Sequence, residues 1–153
     1  MFELILNIFY MIIAFYILTK AADYFVEKFE LYGAKVVVQE FDDEFYDGRK
    51  IKLKNIIASF NPTAKKRILL AAHWDTRSFT DKDAEDKYAK SEGANDGGSG
   101  VGVLLEVARV IGSNQGPSVG VDIILFDGED EGEHQDVGSV DLRGGKESWW
   151  CLG

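Results

Sequence analysis

Cysteine, histidine, proline and positive charge are all scarce in this 153-residue chain, and each scarcity narrows the function. The single cysteine, Cys151, excludes an internal disulfide; it lies near the chain end with no histidine close in sequence and reads as structural. Two histidines, His73 and His134, are present, so any chemistry needing an imidazole must use one of them. Lys and Arg total 17 against 26 Asp and Glu, a net charge of −9. That balance argues against a nucleic-acid surface, which needs clustered cations. The Gly-x-Ser-x-Gly spacing at Gly116-Pro117-Ser118-Val119-Gly120 leads into an apolar strand and not from a strand into a helix, so it makes no elbow and a serine hydrolase would lack its nucleophile turn. The glycine-rich stretch Gly93–Gly100 is neither a dinucleotide fingerprint nor a phosphate-binding loop with its lysine, and nucleotide binding has no support. Internal repeats and low-complexity tracts are missing as well.

What remains is globular: 46% hydrophobic and 28% charged residues, in a length that suits one domain with a real core. Phe2 to Leu18 is almost continuously apolar, with Glu3, Asn7 and Tyr10 as a thin polar stripe. About 17 residues is the lower limit for a membrane span. A basic leader and a small-residue cleavage site are not evident. Two readings stay open for residues 1–19: a buried or mis-specified N-terminal helix, or a membrane anchor or poor export signal. Residues 20–153 read as a single domain.

Ala21 to Tyr32 has the period of an amphipathic helix, with Phe25, Phe29 and Tyr32 on one face and Gly33 placed to end it. Lys35 to Phe41 and Ile51 to Phe60 read as strands of a hairpin, with Asp42 to Lys50 a polar turn and Asn61-Pro62 closing the second strand. Arg67 to Ala72 and Val119 to Phe126 are apolar runs expected as strands buried on both faces. Between them come a long polar loop, Trp74 to Ala94, and a helix from Gly98 to Ile111 with Val101, Leu104, Leu105, Ala108 and Ile111 on its apolar side. The order implies a parallel crossover. The fold class is α/β: a three-layer sandwich with a mixed, partly parallel sheet flanked by helices, its last strands lying beyond this chain.

Ligands gather beyond the carboxyl ends of strands in open α/β sheets. His73 and Asp75 follow one buried-type strand, Glu129 and Asp130 follow the next, and Asp96 sits where the loop returns to the helix. One imidazole and several carboxylates on a common edge suit zinc. Each has an ordinary alternative: Asp96 as a helix N-cap, His73 as a satisfied loop histidine, and Glu129-Asp130-Glu131 as a solvated acidic turn. His134, in the following polar loop, reads as a surface residue.

Three stretches, His73-Trp74-Asp75-Thr76-Arg77, Gly93-Ala94-Asn95-Asp96-Gly97 and Leu125-Phe126-Asp127-Gly128-Glu129-Asp130, resemble the M28 zinc-peptidase superfamily in order and spacing. Within it they look most like bacterial-type glutaminyl-peptide cyclotransferases. The resemblance covers roughly residues 21–153, and the tail from Ser148 to Gly153 contributes to it. It implies zinc as cofactor, Asp96 and Asp130 as ligands, Glu129 as general acid/base, and the N-terminal glutamine of peptides or proteins as the reacting group. In the di-zinc aminopeptidase branch, His73 would be a ligand too, Asp96 would bridge, and Asp75 would orient His73. A non-catalytic relative is the third reading. Family members run on past Gly153 with a further zinc-binding histidine, so the chain looks like an N-terminal fragment, with weak zinc binding and little activity expected of it alone. The resemblance and the apolar start together make export or membrane association an expectation.

Overall fold

The computed structural model describes residues 20–44, 48, 50–80, 83–114 and 116–130. The apolar 2–18 segment, His134, Trp149, Trp150 and Cys151 lie outside the described residues. Among the described residues no helix is long and apolar enough to cross a membrane.

Helix α1 occupies residues 20–31. It stops because Gly33 takes a positive φ of 86°, which lets Gly33 N and Ala34 N donate back to Glu30 O and Phe29 O at 2.9 and 3.0 Å. The chain then runs β1 (Lys35–Glu44), β2 (Lys50–Phe60), β3 (Arg67–His73), α2 (Gly98–Gly112) and β4 (Gly120–Phe126). β1 is three residues longer than the sequence suggests. Asp42, Asp43 and Glu44 pair antiparallel with Lys52, Ile51 and Lys50, and the Asp42–Lys52 and Glu40–Lys54 ion pairs close at 3.0 and 2.9 Å. Opposite charges across two strands turn a polar run that looks like a turn into ladder.

The four strands form one mixed sheet in the order β1-β2-β4-β3. β1 with β2 and β2 with β4 are antiparallel, while β3 and β4 are parallel, joined through α2. β4 is central and buried on both faces: Val121, Ile123 and Leu125 join the main core, and Ile124 is buried on the opposite face. Among the described residues β3 lies at the sheet edge, with one neighbouring strand, and Ile68 is 51% and Leu69 54% exposed.

Both helices lie on one face. Ala22 and Phe29 of α1 and Val101, Leu104 and Ala108 of α2 pack on Ile56, Ala58, Phe60, Val121, Ile123 and Leu125. The described residues thus supply the sheet and one helical layer of the expected sandwich. Phe29 is fully buried, a contribution of about 1.5–3 kcal/mol. The helices meet where Gly112 abuts the Tyr32 carbonyl so closely that no side chain would fit.

This topology fixes where chemistry gathers. β3 and β4 end side by side in register, His73 opposite Phe126. β2, running the other way, brings Lys54 and Asn55 to the same edge, just beyond its last pair there, Ile56 with Leu125.

Candidate metal centre

His73 is the last residue of β3. Trp74 N still donates to Phe126 O at 2.9 Å, so the chain leaves the sheet at Asp75 rather than at His73. The loop returns to the same edge at Asn95–Gly97. Gly97 has φ 83°, and a Cβ on it would lie 2.6 Å from the Asp75 carbonyl oxygen. Glycine therefore permits both the turn and its close seat against residue 75. Gly97 is also the N-cap of α2, which has no side-chain cap hydrogen bond. Asp96 is thus not spent on capping. Its Oδ1 lies 3.1 Å from His73 Nε2.

Asp75 does two things. Its Oδ2 accepts from Asp130 N at 2.9 Å, while Asp130 Oδ2 accepts from Arg77 N at 3.0 Å. The two carboxylates are both buried, and together they clasp the β3 and β4 loops. The other oxygen, Asp75 Oδ1, is buried without a hydrogen-bond partner and lies 3.5 Å from His73 Nδ1. Nδ1 also sits 3.2 Å from Asp75 O and 4.0 Å from Glu129 Oε2.

The electrostatics follow from one imidazole among four carboxylates. The Asp75 carboxylate holds the His73 proton most strongly; burial opposes it, and Glu129 and Asp130 add to it, leaving a pKa of about 9. Asp96 makes the shorter contact but is 72% exposed on its side chain, so water screens it. Burial first, then neighbouring like charge, pushes Asp130 up; burial also leads for Glu129, against the pull of His73. Asp127 is raised to about 7 by burial, although Lys54 N donates to it at 2.9 Å. Crowded acids that resist ionising together are what a bound cation relieves.

One imidazole nitrogen and two carboxylate oxygens, from His73, Asp96 and Asp130, lie within 4.8 Å of one another. Donors about 2.0–2.2 Å from a tetrahedral zinc stand roughly 3.3 Å apart, so modest contraction would close this set on an ion. The donor types fit zinc, and Asp75 Oδ1 flanks the other His73 nitrogen as a ligating imidazole requires. His73, Asp75, Asp96, Glu129 and Asp130, all singled out in the sequence, come together at one edge; His134 lies outside the described residues. Sequence reading passed over Asn55, Trp74 and Asp127 as contributors behind the site. The signal for Asp127 was its place between an apolar strand and a glycine.

Residues 55–148 match peptidase family M28. The chain is 34% identical over 85 residues to the glutaminyl-peptide cyclotransferase of Bos taurus, covering 50% of this chain and 22% of that protein. A glutaminyl cyclase from Bacteroides thetaiotaomicron, solved with N-acetylhistamine bound, is 46% identical at a TM-score of 0.73, covering 79% of this chain and 42% of that one. A Zn-dependent exopeptidase from Parabacteroides distasonis is 43% identical at the same TM-score, 0.73, over 83% of this chain and 44% of that one. The chain therefore spans less than half the length of these relatives. Because the family match extends over most of the chain and takes in every loop of the carboxylate cluster, the chain belongs to peptidase family M28.

Proposed function

We propose that this chain carries the zinc-binding and proton-transfer half of a glutaminyl-peptide cyclotransferase, which closes the N-terminal glutamine of a peptide to pyroglutamate. The observation carrying this reading is Asp96 and Asp130 brought together in one metal-capable cluster with Glu129 next to Asp130 in sequence, in a chain 34–46% identical to bacterial glutaminyl cyclases. Asp96 and Asp130 would hold the ion. A bound zinc would supply Lewis-acid polarisation of the glutamine side-chain carbonyl. Glu129 takes the proton from the α-amine as its nitrogen attacks that carbonyl carbon. The new carbon–nitrogen bond closes the ring, the side-chain carbon–nitrogen bond breaks, and Glu129 returns the proton to the departing ammonia. Proton transfer of this kind is worth about 10²–10⁴ in rate. A glutamate pushed above its usual range by burial is suited to carry a proton both ways.

A second reading has its own support. His73 Nε2 lies 3.1 Å from Asp96 Oδ1, so these two residues would together hold a second ion, and one relative is a Zn-dependent exopeptidase. Glu129 would then deprotonate a water instead. Association with a membrane through residues 2–18 is a separate proposal, resting on the apolar run alone.

The test uses the longest natural form of the protein. Metal per chain is measured together with ammonia and free amino acid released from a glutamine-initiated peptide. One zinc with ammonia release supports the cyclase, and two zincs with amino-acid release support the exopeptidase. Glu129→Gln should keep zinc and lose turnover; turnover retained in that variant rejects the role of Glu129.

A further inference from the structure

A buried polar network lies one step behind the carboxylates. The register of β2 on β4 ends at Ile56 with Leu125. Beyond that pair, side chains take over from the backbone ladder. Lys54 N donates to Asp127 Oδ2 at 2.9 Å, and Asp127 N donates to Asn55 Oδ1 at 3.1 Å. Lys54 O accepts from the Trp74 indole nitrogen at 3.0 Å. Asn55, 2% exposed, uses its Nδ2 to donate to Gln39 Oε1 at 3.0 Å, which extends the network to β1.

Both backbone groups of Lys54 are therefore taken by side chains from the two loops that carry the site. Trp74 stands between His73 and Asp75. Asp127 precedes Glu129 and Asp130 by two and three residues. Satisfying a strand end alone would take no more than water or local backbone, since any partner meets that requirement. Here the partners come from two different loops and converge on one residue of the neighbouring strand. The Trp74 ring is itself held edge-on to Phe25 of α1, centroids 6.0 Å apart, so the donor is fixed.

We propose that Asp127 and Trp74, fastened to the Lys54 backbone with Asn55 behind them, are positioning residues that set the separation between His73 and the Glu129–Asp130 pair. The inference rests on the metal reading only for its consequence, zinc affinity. The geometric claim stands apart from it. Residues supporting metal ligands from behind typically change affinity by about 10–100-fold when removed.

The test is made on the full chain with three variants. Asp127→Ala removes the acceptor for Lys54 N, Asp127→Asn keeps an acceptor of the same shape, and Trp74→Phe removes only the indole donor. Amide hydrogen exchange is followed without added metal, and zinc affinity is read by competition with a chromophoric chelator. In Asp127→Ala, exchange at Asp130, whose N–H is held by Asp75, should accelerate by at least about tenfold while Val121 to Leu125 stays protected. Zinc should bind about 10–100-fold more weakly. Asp127→Asn should restore both, and Trp74→Phe should shift both by several-fold. A lowered unfolding midpoint with unchanged exchange at Asp130 and unchanged zinc affinity would overturn the proposal. Should the wild-type chain take no zinc, the metal reading fails, and the exchange data still decide the positioning role. Should Asp127→Ala not fold, Trp74→Phe decides alone, wild-type behaviour in both measurements counting against the inference.

Discussion

Zinc binding should be strongly pH-dependent if His73 is a ligand, and nearly flat through that residue if it is not. The perturbation is a pH series from about 6 to 8, below the His73 pKa of about 9. An imidazole must shed its proton before its Nε2 can coordinate. At pH 7 that deprotonation would cost roughly two pH units of free energy, about 2.7 kcal/mol at ~1.36 kcal/mol per unit. The ring is only partly buried, and screening by water discounts this to about 1–2 kcal/mol, or roughly 5- to 30-fold in affinity. The slope is sturdier than the offset: affinity should rise about tenfold per pH unit and level off once His73 is neutral. Isothermal titration calorimetry in buffers of different ionisation enthalpy counts the protons released, and His73→Ala should remove about one of them at pH 7. Without zinc the sign reverses. A raised folded-state pKa stabilises the protein fully below about 6.5, and that stabilisation is lost as pH rises through about 9. Identical proton release in wild type and His73→Ala would refute the assignment of His73 as a ligand and leave the single-ion cyclase arrangement, with Asp96 and Asp130, in place.

Other substitutions probe the frame around the site. Asp75→Ala leaves Asp130 N without its acceptor and His73 without its neighbour, so zinc affinity should fall about 10–100-fold and stability by about 1–3 kcal/mol, read by chelator competition and urea denaturation. Gly112→Ala forces a methyl against the Tyr32 carbonyl and should lower stability by about 1–3 kcal/mol in thermal melts, with the donor set untouched. Leu69→Lys places a charge on the open β3 edge and should suppress concentration-dependent association in size-exclusion chromatography; an unchanged elution series would show that association, if present, does not use this edge.

Local periodicity in the sequence determined the elements. Helical spacing marked α1 and α2, Gly33 marked the stop of α1, and β-branched or apolar runs marked the four strands, because these depend on neighbours within a few residues. Chain order also determined that the loops after β3 and β4 would share an edge, since a strand–helix–strand unit with parallel strands must return there. His73, Asp75, Asp96, Glu129 and Asp130 were legible for that reason.

The tertiary structure decided what depends on distant partners. It placed β4 between β2 and β3, because pairing with β2 is a choice among surfaces far apart in the chain. It added Asp42, Asp43 and Glu44 to β1 through the lysines and Ile51 opposite them. It took Asp96 away from helix capping by giving the N-cap to Gly97, and turned it toward His73 instead. It made Asp75 a clasp on Asp130, and Lys54 the common fastening for Trp74 and Asp127. None of these is written in residue spacing. Hydrogen bonds across 20 to 73 positions of sequence exist only after the sheet has brought their strands within reach.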